Sequence, residues 1–272
     1  MASTLTLESV LKRDRLFVVS AVGVAVLASW IYLIYLANQM SSMADMPGDT
    51  MAGAVLRLKP WTALDFVLIF VMWAVMMVGM MVPSATPAIL EFIELRELKK
   101  EMKELSPEKA GEPLVSTAVF VAGYITVWVG FSVAATLAQW GLNSLALLSP
   151  QMVITSPLLG GLLLIATGVY QWTPIHHNIL QRCRNPLPIF LKRWNEQTAA
   201  FVVGLENGAN CLGCCWVIMS LLFVGGIMNL LWVAALTIFI LLEKAVPYGD
   251  LCGRWSAVPL TLAGLVVIFH AA

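Results

Sequence analysis

Residues Thr62 to Val82 read TALDFVLIFVMWAVMMVGMMV, and Asp65 is the single charged side chain among them. As an α-helix this stretch is about 30 Å long, the hydrocarbon thickness of a bilayer. It has neither the strict alternation of a half-buried strand nor the polar face of a surface helix, so it predicts a helix solvated by lipid. Further apolar runs predict spans at Phe17 to Ala37, Val115 to Ala138, Pro157 to Ile175, Ala209 to Gly226, Ile227 to Leu242 and Ser256 to Ala272, the last two short. The expected fold is all-α: one polytopic transmembrane helical bundle of six to seven spans, with residues 1–272 forming a single integral membrane domain.

Composition supports this reading and excludes others. Of 272 residues, 60% are hydrophobic and 12% charged, against roughly a quarter charged in a soluble domain, and mean hydropathy is +0.84. Sixteen basic residues balance sixteen acidic ones, and no long basic tract is available to hold phosphates, so nucleic acid is not an expected partner. No G-x-x-x-x-G-K loop is present, which argues against ATP-driven pumping by this chain. The five cysteines do not form the even framework of a small secreted fold and are expected as reduced thiols. Lys12, Arg13 and Arg15 precede an apolar run with no A-x-A site after it, so that run reads as a retained helix.

Placing the N-terminus in the cytoplasm puts fourteen of the sixteen basic residues on the inner side and leaves Arg57 and Lys59 outside, provided Gly225 and Gly226 make a tight outer turn. Residues 83–114 then form a charged cytoplasmic extension or loop, with Glu91, Glu94, Glu97 and Glu101 interleaved with basic residues at helical spacing. On the outer side, Met40, Met43, Met46 and Met51 accompany Asp45 and Asp49.

Two sulfur-rich patterns carry the candidate chemistry. Met72, Met76 and Met80 recur every fourth residue and form a column on one helix face, with Met77 and Met81 beside it and Asp65 one helical repeat toward the outside. Cys211, Cys214, Cys215 and Met219 share a face in the same way. Thioethers and thiolates are soft ligands that select Cu(I), and three thiols with another ligand also suit Zn(II). Packing is the simpler account of the Met column alone, whereas three cysteines within five residues favour metal or redox chemistry. Glu243 and Lys244 close the sixth span. Glu243 is a candidate ligand or proton acceptor, set against the simpler reading that the pair snorkels into headgroups. His176 and His177 lie at the same inner level as candidate auxiliary ligands, or simply as solvated side chains. Met228 is auxiliary on the outer side. Outer thioethers, a Met column and inner thiols together describe a gradient suited to moving or holding Cu(I).

The runs Met72-Trp73-x-x-Met76-Met77 followed by Pro83 and Pro87, Ala166 to Pro174, Cys183-Arg184-Asn185-Pro186, Cys211-Leu212-Gly213-Cys214-Cys215-Trp216, and Gly226 to Trp232 with Glu243-Lys244 resemble a bacterial family described as predicted metal-binding integral membrane proteins of unknown function. The resemblance covers about Thr62 to Pro247 and implies metal binding by a multi-pass protein of the bacterial cytoplasmic (inner) membrane. The sequence departs from the family pattern near His176, where a basic residue is usual, and near Ile179, where a cysteine is usual. Cys183 therefore lacks its neighbour thiol and is not assigned to a site.

The expected function is binding or transport of a soft metal ion, most plausibly Cu(I), with a metallochaperone or membrane complex as partner and oligomers allowed. Two other readings stay open. One is a membrane thiol-disulfide oxidoreductase using Cys211 and Cys214; the other is an assembly or scaffold subunit in which the sulfurs only pack.

Overall fold

The computed structural model describes residues 2–44, 61–104, 113–149, 152–192, 199–246 and 249–271. In chain order the helices are α1 (Ala2–Ala44), α2 (Ala63–Glu104), α3 (Pro113–Ser144), α4 (Pro157–Trp172), α5 (Pro174–Arg184), α6 (Leu187–Lys192), α7 (Ala199–Ser220), α8 (Leu222–Gly225), α9 (Leu230–Ala245) and α10 (Gly249–Ala271). Among the described residues there is no β-strand, only an isolated bridge between Leu148 and Ile154. The all-α bundle is as expected.

Five stretches are long and apolar enough to cross a membrane: Arg15–Met40, Ala63–Leu98, Thr117–Ser144, Ala200–Gly225 and Gly249–His270. The pair α4 and α5, bent by 68° at Thr173, makes a sixth when taken as one broken span. The sequence windows divide the C-terminal half differently. Ala209 to Gly226 captures only part of a longer span, because the stretch before it, with Glu206 and Asn207, is helical too. Ile227 to Leu242 corresponds to α9, whose 16 residues rise only about 24 Å. The turn between them is where the paired glycines place it, with Gly226 at φ 93°, a left-handed conformation that glycine adopts without steric cost.

The bundle is wound by neighbour contacts: α1 packs on α2, α2 on α3, α3 on α7, α5 on α7, and α4 on α10, while α9 lies against α10 and α2. Side chains turned away from these contacts are large and apolar, among them Val24, Leu27, Ile31, Leu162, Leu231, Trp255 and Phe269. An apolar exterior over long helices is what a lipid solvent requires. Pro83 and Pro87 do not end the second helix, which continues to Glu104. The Ser84 and Thr86 hydroxyls donate to the Met81 and Val82 carbonyls at 2.9 and 3.2 Å, local side-chain bonding of the kind that accommodates proline inside a membrane helix. Arg15 of α1 pairs with Glu94 of α2, tying the start of the first helix to the far end of the second.

Helices α3 and α7 approach closely along their backbones. A Cβ on Gly204 would collide with the Phe120 carbonyl, and one on Gly123 with the Phe201 carbonyl. Glycine at both positions lets the helices touch along their backbones, and that contact brings the residue after Gly123, Tyr124, onto the cysteine-bearing turn of α7.

Candidate functional site

The inward face of α7 carries Cys211, Cys214, Cys215 and Met219, all buried and part of one continuous core with Met72, Met76, Met77, Met80 and Met81 of α2. Antiparallel packing sets the levels: Met81 lies beside Cys211 through Tyr124, whereas Trp73, two turns back along α2, meets Phe223 at 5.4 Å between ring centroids.

Around Cys211 the interior is polar. Lys244 Nζ of α9 donates to Cys211 Sγ at 2.8 Å and lies 3.4 Å from Ser84 Oγ of α2. The Tyr124 hydroxyl is 2.9 Å from the same sulfur and donates to the Met81 carbonyl at 3.2 Å. Cys214 Sγ donates to the Cys211 carbonyl at 3.1 Å and sits 3.3 Å from Cys215 Sγ. Cys183 of α5 joins this group, interacting with Cys211 and Cys214 and with the charge of Lys244. All five cysteines are free thiols.

Two features hold the cluster in place. Tyr170 of α4 donates its hydroxyl to the Gly213 carbonyl at 2.6 Å, anchoring α4 on the Cys turn. Thr173 then caps α5, accepting from His176 N at 3.2 Å with Pro174 in the first helical position, the arrangement that starts a helix cleanly. The resulting bend turns α5 along α7 and delivers both His176 and Cys183 to the interior.

Lys244 does not snorkel. It is 9% exposed and Glu243 is fully buried, because α9 is short and enclosed between α2 and α10. Among the described residues no carboxylate lies within ion-pair distance of Lys244; the recorded pairs are Arg15 with Glu94, His176 with Glu243, and Arg184 with Asp250. A buried ammonium is costly without a counter-charge, and its nearer recorded partner here is the Cys211 sulfur, with the neutral Ser84 hydroxyl farther off. Positive charge against a thiol sulfur stabilises negative charge there, the form that ligates metal.

The other candidates separate from this cluster. Glu243, one residue from Lys244, points instead toward His176, whose Nε2 is 3.7 Å from Glu243 Oε1. His176 is buried rather than solvated, while His177 is half-buried. Asp65 accepts from Thr62 N and Oγ1, both at 2.8 Å, at the start of α2. Met228 is half-buried beside the Gly226 turn. Asp45, Met46, Asp49 and Met51, and the side chain of Met43, lie outside the described residues.

The structure adds three residues to those the sequence nominated: Lys244, Tyr124 and Cys183. Lys244 was findable as a cation closing an apolar run, and Cys183 as a thiol at the same depth; nothing in the sequence singles out Tyr124. Among the described residues no group of three or more His, Cys, Asp or Glu side chains is arranged as a metal site; the thiols are engaged with Lys244, Tyr124 and one another.

Residues 70–267 match the sequence model of a family described as copper chaperone. No curated protein and no solved structure matches the chain.

Proposed function

The chain belongs to the copper chaperone family, and from that premise we propose that it holds Cu(I) inside the bilayer at the thiols of Cys183, Cys211, Cys214 and Cys215 and passes it on. The observation that carries this reading is the Lys244 ammonium 2.8 Å from Cys211 Sγ in the dry interior. Two thiolates and one Cu(I) carry a single net negative charge, which the ammonium cancels. A neutral assembly is what a low-dielectric site tolerates. Thiolate sulfur selects Cu(I) over harder divalent ions, so Cu(I) is favoured over Zn(II) as cargo.

The Met column of α2 is the approach to this site. Met72, Met76 and Met80, with Met77, Met81 and Met219 beside them, are soft donors that hold the ion more weakly than thiolate, as multi-site transfer requires. The recipient is a metallochaperone or a membrane complex on the side toward which Cys183 lies, and the setting is the bacterial inner membrane.

The test is copper content and Cu(I) stoichiometry of detergent-purified protein prepared anaerobically. Wild type retains copper, and the Cys211/Cys214/Cys215→Ser variant loses the sulfur-bound copper. Equal, negligible copper in both, with both folded, would falsify the proposal and move the redox and scaffold readings ahead.

A further inference from the structure

A second polar group lies beside the sulfur cluster and is not explained by it. His176 Nε2 and both carboxylate oxygens of Glu243 have no hydrogen-bond partner, although His176 is 3% exposed and Glu243 0%. The adjacent wall of α10 is bare backbone: a Cβ on Gly253 would meet Glu243 Oε1 and come within 3.9 Å of His176 Cε1. The His176 ring also approaches the backbone of Cys214, so this pair and the thiols are next-door neighbours.

An ionised carboxylate without partners inside a membrane costs several kcal/mol, and something must offset it. The 3.7 Å between Nε2 and Oε1 is too long for a hydrogen bond. It matches two donors on one ion: with each about 2.0–2.2 Å from a metal, they stand roughly 3.3–4.2 Å apart at angles from tetrahedral to nearly linear. Charge selects the ion. Neutral imidazole with one carboxylate carries a single negative charge, which a monovalent ion cancels. A divalent ion would leave a net positive charge in a low-dielectric interior.

We propose that His176 Nε2 and Glu243 form a second, nitrogen and oxygen station for Cu(I), separate from the sulfur cluster and next to it on the ion's route. The inference rests on the copper reading above. Imidazole and carboxylate bind Cu(I) less tightly than thiolate does, so the station is where the ion is released rather than stored.

The experiment is an anaerobic Cu(I) titration of the full chain in detergent against a colorimetric Cu(I) chelator, with X-ray absorption of the bound copper. Wild type binds one equivalent more than Glu243→Gln, and its copper shell contains sulfur together with nitrogen or oxygen. In Glu243→Gln the shell is sulfur only. Gly253→Ala, which alters neither donor but places a methyl against Oε1, has the same effect. A Cys183/Cys211/Cys214/Cys215→Ser variant keeps one copper in a nitrogen and oxygen shell, which Glu243→Gln then removes; if that thiol-free variant does not fold, the Glu243→Gln and Gly253→Ala results decide. Unchanged stoichiometry and shell in both single variants, with sulfur-bound copper present, would overturn the second station alone and leave Glu243 as a buried, neutral carboxylic acid. Wild type without sulfur-bound copper would overturn the copper reading itself.

Discussion

Helices α2 and α7 each carry sulfur at helical spacing, yet their surroundings are opposite. The methionines of α2 are buried among Trp73, Phe223 and other apolar side chains, and the Ser84 and Tyr124 hydroxyls that reach Met81 bond to its backbone carbonyl rather than to its thioether. The Cys turn of α7 draws an ammonium from α9, a phenol from α3 and a thiol from α5. Periodic spacing therefore does not distinguish a packed column from a reactive one. What distinguishes them is whether remote helices spend buried polar groups on it, since each such group is costly unless it has a task.

This contrast can be broken or sharpened by substitution. The largest effect is expected from Gly204→Leu, which drives a side chain into the Phe120 backbone. Overpacking of this kind costs more than about 3 kcal/mol where backbone is the obstacle, so thermal unfolding in detergent should show loss of the folded bundle, and an unshifted transition would contradict the close contact of α3 and α7. Next comes Lys244→Met, which keeps the volume and removes the charge. Cu(I) affinity should fall about a hundredfold, near 2.7 kcal/mol, in a chelator competition; an unchanged affinity would mean that the ammonium is not the counter-charge of the thiolates.

Tyr124→Phe removes one hydrogen bond to Cys211, worth roughly 1 kcal/mol, and should weaken Cu(I) about fivefold. The smallest equilibrium effect is expected from Met76→Leu with Met80→Leu, a volume-conserving pair that costs under about 1.5 kcal/mol of stability. Copper bound at equilibrium should stay at the wild-type level while loading slows in stopped-flow measurements. If this variant loses copper as completely as the Cys variant, the two helices are one site and the contrast between them fails.

The bundle, the Met column and the Cys turn were legible in the sequence because each depends on spacing within one helix. Length and hydropathy alone place most of the spans, though not the bounds of those in the C-terminal half, and residues three and four apart must share a face. What the sequence did not yield depends on the angles between helices. Lys244 and Glu243 are neighbours in the chain but point to different partners, and the snorkelling expectation failed because α9 is enclosed at its C-terminal end. Cys183 looked isolated because its companions are 28 or more residues away, reached only through the 68° bend at Thr173. Tyr124 is one aromatic residue among many in α3, and only the glycine contact beside it gives it a role.

The sulfur cluster draws its thiols and its ammonium from α5, α7 and α9, late in the chain, and this bears on its biosynthesis. During synthesis the α2 thioethers enter the membrane long before Cys211, and the thiols of α5 and α7 precede the ammonium of α9. A nascent chain arrested before residue 244 would hold the thiols without their counter-ion, so the cluster is complete only once the ribosome has passed α9.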